Sequence, residues 1–248
     1  MEDGNCNTKF FHRVANSRRK FNVIKSIVVE GELHVDDSSV KGAIVQFYEK
    51  LYHENFTSRP FLARISYSSI NLEDVGELEK EFSEKEVWKA INDLGKEKAT
   101  GPDGFNIAFL ALLGHCQGGS YGLISRLHKK GTFEKSLNAP FISLFPKVAS
   151  AVDITKFRPI SLVGSVYKIL AKVLDPRLRI VIGKAVSPYQ HAFITGHQIL
   201  YAALIANECV HSCPKSNLPT IICKLDMKKA YDHVSWDFLV TILEWGFL

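Results

Sequence analysis

The sequence has little that would suit a secreted or membrane-embedded protein. Its five cysteines are odd in number and scattered along 248 residues, which does not fit a framework of disulfide pairs. No apolar run approaches the roughly 20 residues that a helix needs to cross a bilayer. The polar start, Met1–Asn5, lacks the apolar segment of a secretory signal. We therefore expect an intracellular protein, in the nucleus or the cytoplasm, with no membrane partner.

A strong charge of one sign is also missing. The chain carries 31 Lys and Arg against 26 Asp and Glu, for a formal net charge of +5, and 46% of its residues are hydrophobic. This composition argues against disorder or a fibrous repeat and is typical of a soluble chain that can bury a core. The mild excess of positive charge permits weak contact with a nucleic-acid backbone but does not require it.

One cysteine cluster offers a structural alternative. Cys209, His211 and Cys213 lie close together at the end of a predicted helix and could hold a zinc ion. No second pair of ligands follows at the spacing of zinc modules, so ordinary thiols are favoured.

Hydrophobic periodicity predicts a mixed α+β chain with two parts. The first part contains an amphipathic helix with a basic end over residues 8–21, a hairpin over 22–35 and a further helix. Residues 53–73 have no clear period and are interpreted as a linker. The predicted domains are an N-terminal helical and hairpin extension, residues 1–75, and a second domain, residues 76–248.

The second part has sharper signals. Ser83–Glu86 is a capping box, which predicts the start of a helix. The charged, Gly- and Pro-containing run 96–104 predicts an exposed, shaped loop. A helical pattern over 166–182 contains Pro176, so we expect a kink or a stop at Asp175.

Three strands are predicted in the second part, and one of them ends at an acid. Short strands are expected at Phe141–Leu144 and Arg158–Leu162, and a β-branched apolar strand at Thr220–Leu225 is followed directly by Asp226. A carboxylate at the carboxyl end of a buried strand is a natural ligand for Mg²⁺. The alternative is an aspartate that caps a helix or a turn.

Two basic residues lie at the edges of the two short strands. Lys147 and Arg158 would make a phosphate clamp on a hairpin, because Arg offers a planar fork to phosphate oxygens and Lys a mobile point charge. The alternative is a pair of solvated surface charges.

These features occur together and in order with several other short motifs. By them the sequence resembles the reverse transcriptases of plant non-long-terminal-repeat (LINE-type) retrotransposons over nearly its whole length. The matching stretches are Asn7–His12 with Ala15–Asn16 and Arg18–Arg19, Lys98–Phe105, Ser143–Lys147, Phe157–Leu162, Tyr167–Leu174, Gln190–Phe193 and Lys224–Trp236.

The resemblance implies the fingers and the beginning of the palm of a right-hand polymerase. Asp226 then corresponds to the first metal-binding aspartate, with the backbone carbonyl of Met227 as a secondary ligand of two Mg²⁺ ions that serve nucleotidyl transfer. Tyr231 corresponds to the aromatic residue under the incoming sugar, and its alternative is a packed turn aromatic. Lys147 and Arg158 would grip the triphosphate.

The implied partners are an RNA template, a DNA primer and deoxynucleotide triphosphates. Gln190 and Phe193 resemble residues that line the template path, and their alternative is capping and core packing. A basic fingers surface would follow template phosphates with strong salt dependence.

The sequence also departs from the family. The expected Asp-Asp hairpin that completes the metal site does not follow Asp226 before Leu248, and neither does the thumb; Asp232 and Asp237 lack the hairpin pattern. We therefore expect a truncated RNA-directed DNA polymerase domain that is inactive alone. The competing hypothesis is a non-catalytic nucleic-acid-binding or interaction protein derived from the fingers.

Overall fold

The computed structural model describes residues 9–53, 68–95, 98–114, 119–132, 135–213, 221, 223–227 and 230–247. Over these ranges the chain forms nine α-helices and two antiparallel pairs of strands. The helices are α1 (Lys9–Asn22), α2 (Asp37–Tyr52), α3 (Leu72–Glu79), α4 (Glu84–Asp93), α5 (Ile107–Gly114), α6 (Gly119–Lys130), α7 (Ser165–Ala185), α8 (Ile199–Ser212) and α9 (Trp236–Phe247). The strands are β1 (Ile27–Val29), β2 (Glu32–His34), β3 (Phe141–Pro146) and β4 (Phe157–Leu162).

The chain divides into two compact units. The first comprises residues 1–53 and 140–162, and the second comprises residues 54–139 and 163–248. Most of the linker predicted from the sequence falls on residues 54–67, outside the described ranges. The division into domains at residue 75 stays a prediction.

The first unit is built on two hairpins and a helix. Glu30 and Gly31, with φ of 51° and 91°, form the two-residue turn between β1 and β2, and this turn fits the twist of the strands. The side chain of Asp36 accepts a hydrogen bond from the backbone N–H of Ser39 and caps α2. A core of Ile27, Val40, Tyr48, Ile154 and Phe157 joins these elements. The predicted N-terminal helix, hairpin and capped helix are confirmed.

The second unit is a cluster of helices. The predicted capping box opens α4, because the Ser83 hydroxyl accepts from the N–H of Glu86 while the Glu86 carboxylate accepts from the N–H of Ser83. The buried face of α4 packs against α5, α6 and α7. The core consists of Phe82, Val87, Ala90, Ile91, Ile107, Ile124, Ile169 and Val173.

Helix α7 does not stop at Asp175, so that part of the prediction is wrong. Residues on both sides of Pro176 are fixed by packing, since Val173 and Val181 are buried. Directly after the proline, Arg177 donates to both carboxylate oxygens of Glu86 and lies 4.7 Å above the Phe82 ring. These contacts outweigh the backbone hydrogen bond that proline removes.

Arg177 also satisfies backbone carbonyls that precede α4. Its guanidinium donates to the carbonyl oxygens of Leu78, Lys80 and Glu81, and its side chain is only 10% exposed. Partial burial raises the pKa of Glu86, but hydrogen bonds from Ser83 and Arg177 outweigh it and hold that pKa below its ordinary value. Arg177 therefore ties α7 to the segment between α3 and α4.

The strand predicted at Thr220–Leu225 is wrong for the residues that can be judged. Residues 221 and 223–227 are exposed and form no regular secondary structure, while Thr220 and Ile222 lie outside the described residues. A strand exists only through its ladder of hydrogen bonds to a neighbour, and no described segment pairs with these residues. Among the described helices, none has the length and apolar character needed to span a bilayer.

Candidate nucleotide and nucleic-acid site

The hairpin β3–β4 places the two predicted clamp residues on one face. Phe145 pairs with Arg158, and the backbone N–H of Lys147 donates to the carbonyl of Lys156 at 2.8 Å. Lys147 is two residues beyond Phe145, so its side chain lies diagonally across from Arg158, a spacing of roughly 7–8 Å. Side chains of the opposite face, such as the buried Phe157, pack into the core of the first unit. The hairpin is thereby oriented with its cations outward.

The two cations differ in how they are held. The ammonium of Lys147 donates to the carbonyl oxygen of Thr155 at 2.8 Å. Arg158 is exposed and has no ion-pair partner within the described part of the chain. Arg158 is therefore free to take a planar anion with two donors, while Lys147 is directed by the turn that precedes β4.

Asp153 and Thr155 shape that turn, and the sequence interpretation did not single them out. The Asp153 carboxylate accepts from the backbone N–H of Thr155 at 2.7 Å and from its hydroxyl at 2.6 Å. These hydrogen bonds hold the pKa of Asp153 below its ordinary value. The signal that could have revealed them is an Asp followed two residues later by Thr, a common local turn.

The loop predicted at 96–104 is anchored to the start of α7. The Asp103 carboxylate accepts from the backbone N–H of Ser165 at 2.5 Å and from its hydroxyl at 2.6 Å. Gly164, at the N-cap of α7, has no side chain to do this, so Asp103 caps the helix from 62 residues away. Lys96 and Glu97 of the loop lie outside the described residues.

Two further contacts fix the same loop. Gly101 is buried against the backbone of Val163 and Gly164, where a methyl group would overlap the Val163 carbonyl. Lys168 of α7 donates to the carbonyl of Ala99 at 2.8 Å. The glycine in this motif is therefore required for close backbone approach, in addition to the turn that the sequence predicts.

The predicted template residues lie in a turn after α7. The Gln190 amide donates to the carbonyl of Ala192 at 3.1 Å, and a ring nitrogen of His197 lies 2.7 Å from the Gln190 carbonyl. Phe193 has a φ of 65° and is 99% exposed. The hydrogen bonds of Gln190 therefore stabilise the turn in which it lies. The core-packing alternative for Phe193 is wrong, because its ring touches no core.

The predicted catalytic segment is exposed. Asp226, Met227 and Tyr231 all face solvent, and the Tyr231 ring lies 6.4 Å from that of Trp236 in an edge-to-face arrangement. Among the described residues, no three His, Cys, Asp or Glu side chains lie together where they could hold a metal ion. One exposed carboxylate does not amount to a Mg²⁺ site, so the described residues do not fit the complete metal centre.

The structure brings some predicted residues together. Lys147 and Arg158 share one hairpin face in the first unit, whereas Gln190, Phe193, Asp226, Met227 and Tyr231 belong to the second unit. Within that second unit, Gln190 and Phe193 share one turn.

Comparison with known proteins gives two similarities. Residues 145–244 match the family model described as reverse transcriptase (RNA-dependent DNA polymerase). The chain is also 24% identical, over 244 residues, to the Transposon TX1 uncharacterized 149 kDa protein of Xenopus laevis. That similarity covers 96% of this chain and 18% of the relative, so the chain spans less than a fifth of the relative's length. The family model thus matches the later part of the chain, and the similarity to the transposon protein extends over nearly all of it.

Proposed function

We propose that this chain is the fingers and early-palm part of a LINE-type retrotransposon reverse transcriptase, an RNA-directed DNA polymerase that works inside the cell. The observation that carries the proposal is the family match over residues 145–244, which includes every predicted site residue from Lys147 to Tyr231. The motif order, from Lys98–Phe105 to Lys224–Trp236, supports the plant LINE subtype.

The nucleotide clamp is the part of the proposal with the most geometry behind it. Lys147 and Arg158 face solvent from one side of β3–β4, at a separation that a triphosphate can bridge. Arg158 supplies paired donors to phosphate oxygens, and Lys147 supplies a point charge directed by Thr155. Tyr231 is proposed to contact the sugar of the nucleotide.

Nucleotide binding by the purified chain tests this clamp. We expect Arg158→Gln to raise the Kd for a fluorescent deoxynucleotide triphosphate about tenfold, since a charge-assisted hydrogen bond contributes about 1.5–3 kcal/mol. Lys147→Gln should raise it less, because the lysine already donates to a carbonyl. Arg126→Gln, on an exposed arginine of α6, is the matched control. Equal Kd values for Arg158→Gln and the control would refute the clamp.

The catalytic role of Asp226 is proposed together with a need for further carboxylates. Two-metal catalysis requires acidic ligands around both ions, and the described residues supply Asp226 by itself, with the Met227 carbonyl beside it. We therefore expect no primer extension by this chain on an RNA template with Mg²⁺. In a longer chain that carries an Asp-Asp hairpin, Asp226→Asn should abolish extension; unchanged extension would reject the assignment.

The second candidate function is nucleic-acid binding without catalysis. It is favoured by the exposed Asp226, which no other acid joins in a metal-binding group within the described ranges, and by hairpin cations that face solvent. Salt-sensitive RNA binding with no effect of Asp226→Asn on any activity, in the short or the longer chain, would favour it over the polymerase.

A further inference from the structure

Positive charge is concentrated in one short stretch of the chain, residues 9–25. Six of the 31 Lys and Arg lie in this stretch, which contains no Asp or Glu. The rest of the chain carries the remaining 25 Lys and Arg and all 26 acidic residues. The net charge of +5 therefore arises from this stretch alone. It lies outside residues 145–244, so the family match assigns it no role.

Most of the stretch is helix α1, where three cations share one face and Arg18 lies on the opposite side. Lys9, Arg13 and Arg19 are exposed and fall within about 120° of the helix circumference at 3.6 residues per turn. Phe10 and Val14 lie on the other side, and Val14 is the one described side chain of α1 that is not exposed. We call Lys9, Arg13 and Arg19 the basic face of α1.

The basic face is not neutralised by any acid among the described residues. Lys9, Arg13 and Arg19 have no acidic partner in the part of the chain that the structure describes. In the same unit, by contrast, Lys41 pairs with Asp37 at 2.6 Å and Lys50 pairs with Glu30 at 2.5 Å. The two lysines of α2 therefore have acidic partners in the described structure, and the three cations of the basic face have none there.

The placement of these cations also opposes helix stability. Lys9 and Arg13 are four residues apart, so their like charges repel across one helix turn. Lys9 lies in the first turn, where the helix dipole disfavours a cation. A sequence that breaks local rules, with no compensating acid among the described residues, indicates a functional site, and the group that would relieve this repulsion is an anion.

We propose that the basic face of α1 binds the phosphate backbone of a nucleic acid. This rests on the proposed function, which requires contact with a template, and it adds a contact surface outside the matched domain. Lys9 and Arg19 are separated by ten residues, about 15 Å of helix rise, which corresponds to about four phosphates of one strand. Arginine suits phosphate oxygens, and a repeating anion matches a row of cations.

Salt-dependent binding by the full chain tests the proposal. The probes are a 20-nucleotide RNA and the DNA of the same sequence, and anisotropy gives the Kd at several KCl concentrations. The variant Lys9→Gln, Arg13→Gln, Arg19→Gln should lower the slope of log K against log salt by about 2, at 0.7 per contact for a single strand. Its Kd at low salt should rise at least tenfold. An equal loss on both probes supports phosphate contact, and a larger loss on RNA supports it with an added 2′-hydroxyl contact.

The matched control removes the same charge from elsewhere. Lys41→Gln, Lys50→Gln, Lys85→Gln should leave the slope unchanged, because two of its lysines are paired with acids. An equal slope change in control and variant would show a bulk-charge effect and overturn the proposal. So would an unchanged slope in the α1 variant.

A membrane surface is the rival occupant, because Phe10 of α1 is 73% exposed. Vesicles containing phosphatidylserine serve as the probe. Loss of vesicle binding in the α1 variant with intact RNA binding would overturn the proposal. If circular dichroism shows lost helicity, Arg13→Lys, Arg19→Lys keeps the charge and should retain the slope; a lost slope there would also contradict backbone binding.

These binding measurements need no catalysis, so nucleic-acid binding by α1 and the polymerase function can be refuted independently. Absence of primer extension from a longer chain would remove the polymerase and leave α1 binding intact. Unaltered salt dependence in the α1 variant would remove this inference and leave the nucleotide clamp untouched.

Discussion

The loop around Asp103 and the segment around Asp226 each present an aspartate in a short motif, yet their surroundings are opposite. Asp103 accepts two hydrogen bonds from Ser165 and lies beside the close backbone contact of Gly101. Asp226 is exposed in a segment without regular secondary structure. One acid uses an oxygen, Oδ2, to cap a helix within the fold, and the other exposes its carboxylate to solvent. An aspartate's motif alone does not say which of the two uses applies.

The largest expected effect tests the helix on which the Asp103 loop depends. Arg177→Ala should lower the free energy of unfolding by about 3 kcal/mol, because three carbonyls lose a side-chain donor and Glu86 loses its cationic partner. Arg179→Ala removes a 64% exposed arginine on the same helix and should cost about 0.5 kcal/mol or less. Urea denaturation measures both, and similar losses would show that α7 is not fixed through Arg177.

The next effect compares the two aspartates directly. Asp103→Ala should destabilise the protein by about 2 kcal/mol, since it removes the cap of α7 and leaves the Ser165 N–H unpaired. Asp226→Ala should change stability by about 0.5 kcal/mol or less, as expected for an exposed side chain. Thermal unfolding of both variants gives the comparison. A larger loss of stability in Asp226→Ala than in Asp103→Ala would contradict this difference between the two aspartates.

A smaller effect separates two glycines of the same loop. Gly101→Ala should cost about 2 kcal/mol, because the added methyl overlaps the Val163 carbonyl. Gly104 has a φ of 70° with open space around it, so Gly104→Ala should cost about 1 kcal/mol through backbone strain. Chemical denaturation can rank them, and the reverse order would show that the loop moves away from α7 at little cost.

The smallest effect is a pH dependence through Glu86. Its pKa is lowered in the folded protein, so its contribution is present above its unfolded pKa and is lost as pH falls through the folded one. Glu86→Gln should be less stable than the parent by about 1 kcal/mol at pH 7, and the difference should shrink below about pH 4. Melting curves between pH 3 and pH 7 check this, and a constant difference would contradict it.

Much of the local structure could be predicted from sequence because its causes are local. Ser83 and Glu86 lie three residues apart and satisfy each other, and Asp36 caps the helix that follows it directly. The pairing of β3 with β4 also follows from two neighbouring apolar runs, and it places Lys147 and Arg158 on one face, as the clamp hypothesis requires.

The remainder depends on partners far away in sequence. The link from Asp103 to Ser165 cannot be found from the spacing of either motif. Pro176 stays within α7 because Arg177 has partners distant in sequence and Val181 is buried. The predicted strand before Asp226 had the correct composition, but a strand also needs a neighbour to pair with. The composition of a segment can favour a strand, but it does not show whether a neighbouring strand is present to form hydrogen bonds with it.

The hydrogen bond from the Ser165 amide to Asp103 also has a consequence for folding order. The first turn of α7 can form from local residues, whereas this amide becomes protected only when a loop 62 residues earlier has docked. Hydrogen–deuterium exchange at Ser165 should therefore follow loop docking, while exchange at Val173, in the buried middle of the helix, follows global unfolding. Exchange at a single backbone amide thus reports when the loop around Asp103 has docked on the start of α7.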